Sequence, residues 1–539
     1  MPLDAHQLRE WERHVAASAA SFGQERPTRS LRIAVLGWAR LSRQAAEGSG
    51  LNLNASETAG ELVRRGHRVA YLQSGMDYSL RPGMRIEPRE TWRGVGCFSL
   101  VNSPNLAPGN FNFRNVRDQV GAASQADLVV AWARGLHADV VHVQALEGFG
   151  FDTINALRQA GLPVVVTPHN YYWLCPQVDL LADERTICED YRGGERCVGC
   201  LAHAPDPDSY KAWRRRYQSA ERALGPDALG RLKAQVNAVR SRVAGLITGT
   251  SGPVGEPQPS PRPQPLPARP SDAAARLLAN PTHLVACNDY GRRRLAAVDA
   301  LHAADRILCP SRFLLSVHQA FGVDASLLRH VPLGQPHFDA LRAAAERSPF
   351  ADDQPWRPDD RRPLRLAYFG NCHPNKGLAT LCAAIEAMPE SLAARVHLLV
   401  RASGDHEPFR RWMEGRTNVS FLGGYDLRQL LSSPAEYDAC VFPNAGLENS
   451  PFVVLESLHA GRAVIASDLG GPTDFIRHGE NGLLFRCGSP EALVEAIDAV
   501  VEGRFMLPSP KGVHERSPLR SFKAYGDELE RHLSEAATT

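Results

Sequence analysis

Two successive series of short apolar runs, each alternating with stretches of helical spacing, constrain this chain more than any other feature. The first series opens with Leu31-Arg-Ile-Ala-Val-Leu-Gly37, a buried-strand pattern ending in glycine. A loop with Gly48-Ser-Gly50 follows. Residues 55–65 then have helical spacing and stop at Gly66, and Arg68-Val-Ala-Tyr-Leu72 is the next strand. Strand, helix and strand within about forty residues is the unit of a parallel sheet. The pattern resumes with strands Asp139-Val-Val-His-Val143 and Leu162-Pro-Val-Val-Val-Thr167, a helix over 151–160 between them, and the strand Arg306-Ile-Leu-Cys309. The second series holds strands Leu364-Arg-Leu-Ala-Tyr-Phe369, Val396-His-Leu-Leu-Val400, Val419-Ser-Phe-Leu422, Ala439-Cys-Val-Phe442 and Ala463-Val-Ile-Ala466. Helices are expected at 378–387, 452–459 and 490–501.

Two such series predict two doubly wound α/β domains, with ligands at the carboxyl ends of the strands in the cleft between them. A length of 539 residues also exceeds what one core supports. The polar stretch 345–362 reads as the linker. The expected division is a helix or tail over 1–30, a first domain over 31–345, a second over 363–510 and a C-terminal helix over 511–539. The first domain carries an irregular insertion, about 175–285, with a cysteine cluster, a basic segment and a Pro-rich run from Pro253 to Pro270. Such a run forms no ladder or helix bonds and reads as an extended, exposed or disordered spacer.

The densest chemistry lies in Phe442-Pro-Asn-Ala-Gly-Leu-Glu-Asn-Ser-Pro-Phe-Val-Val-Leu-Glu456. Ser450 and Pro451 read as helix cap and first helical residue. Glu448 precedes the helix and Glu456 lies in its second turn, so both carboxylates can face one pocket at the positive end of the helix. Each can accept two hydrogen bonds from sugar or ribose hydroxyls. Spacing alone favours solvated helix-end charges, because surface glutamates are common. The loops Ser467-Asp-Leu-Gly-Gly-Pro472 and Asn481-Gly-Leu-Leu-Phe485 tip the reading toward a ligand, because glycine at strand ends lets a ligand approach backbone.

This segment resembles the donor-binding part of glycosyltransferase family 4, retaining enzymes of the GT-B fold, with Glu448 and Glu456 at the two positions of their Glu-x7-Glu motif. The resemblance implies that Glu448 lies by the reacting carbon of the donor sugar and that Glu456 holds the ribose hydroxyls. It also implies that Asn449, Ser450 and Pro451 line the sugar and phosphate site. Lys376 matches the family lysine that holds the donor diphosphate, and Asn371 stands at the position of the usual arginine, removing one charge. Gly50 falls in a glycine-rich loop beside donor phosphate and acceptor. His169 matches a histidine facing the reaction centre, with Asn170 where the family has aspartate. His142 is read as structural, as is Asp305-Arg-Ile-Leu-Cys-Pro-Ser311. The implied activity is a hexosyltransferase-like, retaining transfer from a nucleotide-sugar, UDP- or GDP-linked, to a saccharide, lipid-linked or other acceptor in glycan or polysaccharide biosynthesis. No Asp-x-Asp donor site is present, so no catalytic metal is expected. The alternatives are a nucleotide-sugar hydrolase or epimerase of the same fold, and a non-catalytic scaffold that binds a protein.

Cys175, Cys188, Cys197 and Cys200 lie within 26 residues and end in Cys-x2-Cys. Four thiolates suit one structural zinc, an iron–sulfur cluster uses the same ligands, and buried thiols with a redox pair are the plain alternative. A net charge of +2 gives no whole-protein field for nucleic acid. The basic segment 211–242 reads as a solvated helix face or as a contact with an anionic membrane surface. No apolar run reaches about 18 residues and no secretory pattern opens the chain, so a cytoplasmic protein, peripheral at most to the inner membrane face, is expected.

Overall fold

A computed structural model describes residues 30–42, 49–107, 113–114, 116–225, 227–228, 262–269, 272–347, 355–432, 434 and 436–538. The expected N-terminal helix or tail, Gly48, the later part of the basic segment (226 and 229–242) and the first part of the Pro-rich run lie outside them.

The first sheet is built from β1 (Arg32–Gly37), β2 (Arg68–Ser74), β3 (Arg85–Pro88), β4 (Gly96–Val101), β5 (Val140–Val143), β6 (Val164–Val166), β9 (Arg306–Cys309) and β10 (Leu328–His330). A short hairpin, β7 (Leu181–Ala182) and β8 (Thr186–Ile187), stands apart in the insertion. The order is β10-β9-β6-β5-β1-β2-β4-β3, parallel except for the edge strand β3. Ala34 and Leu36 bury into one core while Ile33 and Val35 bury into another on the opposite face. Both faces are covered, which is why β1 reads as an unbroken apolar run.

The second sheet comprises β11 (Leu364–Asn371), β12 (Val396–Ser403), β13 (Val419–Phe421), β14 (Ala439–Phe442), β15 (Ala463–Ser467) and β16 (Gly482–Phe485), ordered β13-β12-β11-β14-β15-β16 and wholly parallel. The winding direction reverses between β1 and β5 in the first sheet and between β11 and β14 in the second. Loops leaving those strands diverge and open a crevice, and ligands of doubly wound sheets bind there.

Five helices matter for the site: α1 (Ser49–Arg64), α2 (Pro207–Leu224), α3 (Pro336–Arg347), α4 (Phe452–His459) and α5 (Phe522–Ala536). Two of them cross between lobes. Phe338 of α3 is buried with Val454 and Leu458 of α4, so the chain joins the second core before the polar stretch that reads as the linker. From the C-terminal stretch, read as one helix, come two (Pro510–Arg516 and α5), and α5 returns to the first lobe. Its Tyr525, Leu529 and Leu533, spaced four apart, pack with Ile33, Val35 and Leu62. Arg65 bonds to Asp527 at 2.7 Å and Glu530 at 2.9 Å from the α5 surface. Among the described residues, no helix is long and apolar enough to cross a membrane.

Candidate functional site

A cavity of about 600 Å³ opens where the two crevices face each other. Its walls are Gly50 and Leu51 of α1, His169 and Asn170 after β6, Asn371 and Lys376 after β11, and the run from Glu448 to Val453 with Glu456. All the residues assigned to donor or catalysis from sequence therefore line one space.

The run after β14 sets the site. Helix α4 begins at Phe452, the start of the expected span, but Pro451, read as its first helical residue, is its cap in extended conformation. Ser450 does not cap the helix: its Oγ has no hydrogen-bond partner. Proline takes the cap position, and the serine hydroxyl is left buried and without a partner beside the cavity that Ser450 helps to line. Phe452 and Val453, the first helical residues, also line the cavity, so the positive end of α4 points into it.

The Glu448 carboxylate is ion-paired with the Lys376 ammonium, both partly exposed. Its backbone is held by Gly471, whose N–H donates to the Glu448 carbonyl at 2.7 Å. Only glycine fits there, because an added Cβ would stand 1.5 Å from the Asn449 carbonyl. This is the physical content of the Gly470-Gly471 pair. Asn449, 7% exposed, clasps the other lobe: Ser311 Oγ donates to its Oδ1 at 2.7 Å, and its Nδ2 donates to the His169 carbonyl at 3.1 Å. Ser311 also caps its own helix by accepting from the Leu314 N–H at 3.1 Å. The signature ending in Ser311, expected to be structural, thus reaches the site through Asn449.

Glu456 is 7% exposed and bonded to His337 Nε2 at 2.9 Å. His337 lies on α3, 119 residues away, and nothing in its local sequence marks it. The His169 Nε2 meets Gln144 Oε1 at 2.6 Å, and burial pulls the imidazole pKa down to about 4. The ring is therefore neutral near pH 7, and with an amide oxygen facing it, Nε2 carries the proton. His142 is fully buried, bonds to Thr167 Oγ1 at 2.9 Å and is held at about 3 by burial, in line with a structural role. Asn170 Nδ2 donates to the buried Glu147 Oε1 at 2.9 Å, a partner the sequence does not suggest.

Gly50 sits in the first turn of α1 rather than in a loop, and an added Cβ would touch the Phe452 ring at 3.6 Å. Asn371 closes β11 and accepts from the His373 N–H at 3.0 Å. Among the described residues lining the cavity, Lys376 is the only lysine or arginine, so the charge missing at Asn371 is not restored by another side chain there. Phe369, Ser403 and Tyr425 complete the second-lobe wall and were not read from sequence. Phe369 and Tyr425 meet edge to face at 5.2 Å between centroids, a contact of residues 56 apart in the chain.

The zinc expectation for Cys175, Cys188, Cys197 and Cys200 is not confirmed. All four line one small cavity of about 10 Å³ together with Arg294. Burial pushes the thiols of Cys188 and Cys197 up to about 12 and that of Cys200 up to about 11. Cys200 Sγ is taken by Gln177 Oε1 at 2.8 Å and by the Asp183 N–H at 3.1 Å. Among the described residues, no group of three or more histidine, cysteine or acidic side chains is set to hold a metal ion. All the described cysteines are free of disulfides.

The basic residues of α2 that fall inside the described chain also turn partly inward. Lys211 donates to the Pro104 carbonyl at 2.9 Å, Arg214 to the Ala107 carbonyl at 3.3 Å, and Arg222 to the Tyr78 carbonyl.

Two facing doubly wound sheets with the site between them define a GT-B protein. Over the whole chain the fold matches a crystal structure of Anabaena HepE in complex with UDP, with a TM-score of 0.52 at 12% identity, covering 94% of this chain and 100% of that one. It also matches sucrose-phosphate synthase from Thermosynechococcus elongatus, with a TM-score of 0.51 at 16% identity and coverage of 94% and 100%. Residues 363–502, within the second lobe, match the family model Glycosyl transferases group 1. Phosphatidyl-myo-inositol mannosyltransferase of Mycobacterium leprae is 33% identical over 129 residues, 24% of this chain and 34% of that protein. The same enzyme from Mycobacterium tuberculosis is 34% identical over 137 residues, 24% and 35% of the two chains. The alignment thus spans about a third of these relatives' length.

Proposed function

We propose that this protein is a retaining glycosyltransferase that moves a sugar from a UDP- or GDP-sugar, bound on the second lobe, to a saccharide or lipid-linked acceptor presented by the first. The observation that carries the reading is the joint placement of Lys376, Glu448, Glu456 and the opening of α4 on one interlobe cavity. A nucleotide-sugar needs those four features: a cation and helix N–H groups for the diphosphate, a carboxylate for the ribose diol, and a carboxylate at the sugar. The second-lobe family match and the relatives named as mannosyltransferases support the same reading.

The Lys376–Glu448 ion pair suggests an order of events. An arriving diphosphate competes for the ammonium, and the released carboxylate turns toward the sugar. As the sugar–phosphate bond breaks, Lys376 and the α4 end stabilise the departing diphosphate, while Glu448 stabilises the positive charge on the ring. The neutral His169 can accept a hydrogen bond from a sugar hydroxyl without adding a cation beside the oxocarbenium. Asn449, bonded to both Ser311 and the His169 backbone, keeps the two walls in register. An acceptor on a cytoplasmic membrane face would meet the outward side of α2, where Trp213 is 50% exposed.

The test is transfer from UDP- and GDP-hexoses to hydroxyl acceptors, with the product's anomeric proton coupling read by NMR. Retention of the donor configuration is expected. Inversion, or release of free sugar at an unchanged rate with and without acceptor, would overturn the proposal.

A further inference from the structure

The described part of the Pro-rich run, residues 262–269, carries no helix or strand, is exposed at several positions, and lies as a strap on the second lobe. At its start the Arg262 guanidinium stacks 4.0 Å over the Trp412 ring and pairs with Glu386. Leu266 is buried. At its end the Arg269 N–H donates to the Cys487 carbonyl at 2.8 Å, and Arg486 Nε donates to the Arg269 carbonyl at 2.9 Å. By Ala273 and Leu277 the chain is back in the first-lobe core. Proline at every second position from 263 to 267 keeps the strap extended before it docks, which lowers the entropy lost on docking.

Arg269 is the unusual residue. It is 4% exposed, its Nη2 donates to the Ala445 carbonyl at 3.0 Å, and its Nε has no acceptor in reach. A buried guanidinium satisfied mainly by backbone is costly, so its contact with Ala445 calls for an explanation. Ala445 is where three pieces of the site meet. Its N–H donates to the Asn375 carbonyl at 2.8 Å, next to Lys376, and Glu448 follows three residues later. Cys487 Sγ bonds to the Asn444 carbonyl at 3.3 Å. The turn at Gly377 packs so closely that an added Cβ would lie 1.7 Å from the Pro443 carbonyl.

We propose that Arg269 is a positioning residue for the donor site: through Ala445 it fixes residues 443–448 against the Lys376 turn, whereas Arg262, at the far end of the strap, takes no part in the site. The donor role rests on the reading above, whereas the fixing of the loop does not.

The experiment compares full-length wild type with Arg269→Ala, Arg269→Lys and Arg262→Ala, by amide hydrogen exchange without ligand and by titration with UDP and GDP. Arg269→Ala is expected to speed exchange over 444–448 by about tenfold or more, with Arg262→Ala within about twofold of wild type there. Arg269→Lys, which keeps a donor, recovers part of the protection and serves where the alanine variant does not fold. Nucleotide affinity is expected to fall by about fivefold or more in Arg269→Ala and to stay within about twofold in Arg262→Ala. Exchange over 444–448 unchanged in both Arg269 variants, or raised equally by Arg262→Ala, overturns the proposal. A wild type that binds neither nucleotide defeats the nucleotide-sugar reading instead, and the exchange data still decide whether Arg269 holds the loop.

Discussion

Replacing Lys376 and Glu448 one at a time separates two roles that the structure ties together. In the ligand-free protein the ammonium and carboxylate are paired, with the side chains 30% and 22% exposed. A partly exposed pair of this kind contributes about 0–1 kcal/mol. A charge-assisted bond from Lys376 to a nucleotide phosphate contributes about 1.5–3 kcal/mol. Binding a nucleoside diphosphate exchanges the first for the second, a net gain of about 0.5–3 kcal/mol. Lys376→Ala should therefore weaken UDP or GDP binding by about 2- to 160-fold. Glu448→Gln removes the internal competitor and should leave nucleotide affinity equal or up to about fivefold tighter. Turnover in that variant should nevertheless fall by about a hundredfold or more, since a stabilising charge at the reacting carbon is lost. Isothermal calorimetry gives the affinities and single-turnover transfer gives the rate. If Glu448→Gln loses nucleotide affinity as strongly as Lys376→Ala, the competition between carboxylate and diphosphate is refuted.

Two further outcomes follow from buried histidines. His337→Ala leaves the buried Glu456 carboxylate without its 2.9 Å partner, and a loss of about 1–3 kcal/mol is expected. His337→Gln should recover much of it in thermal melts, and equal melting of wild type and both variants would dismiss the bond. Burial holds His142 and His459 at about 3, and His169, His283 and His318 at about 4, all below the ordinary 6.5. The unfolded chain takes up these protons first as pH falls. Stability is then complete above pH 6.5 and is lost between there and pH 4–3, by up to about 1.4 kcal/mol per pH unit for each histidine. Melting temperature should drop steadily from pH 6.5 to 4.5, and a flat or rising profile would contradict these assignments.

The sheets were legible because both faces of their strands are buried, which writes continuous apolar runs such as 31–37 and 463–466. The carboxylates were legible because Glu448 and Glu456 share one loop and helix. What was hidden depends on contacts distant in sequence. His337 reaches Glu456, Ser311 reaches Asn449, and Glu147 reaches Asn170 across gaps that no local period reports. Ser450 and Pro451 form a good helix start by residue type, yet the loop geometry gives the cap to proline and leaves the serine hydroxyl buried without a partner. Cysteine spacing showed that the thiols could meet, but not that Gln177 and the Asp183 N–H would engage Cys200. The Pro-rich run alternates proline but has no apolar period of a helix or strand, so its docking through Arg262 and Arg269 had no signature in the sequence.

The most direct measurement is a crystal structure of the protein with the nucleotide-sugar it binds. The account predicts the ribose hydroxyls on the Glu456 carboxylate, the diphosphate at the Lys376 ammonium and the start of α4, and Glu448 swung from lysine to sugar. A nucleotide bound outside the interlobe cavity, or a Lys376–Glu448 pair still intact beneath a bound donor, would contradict it.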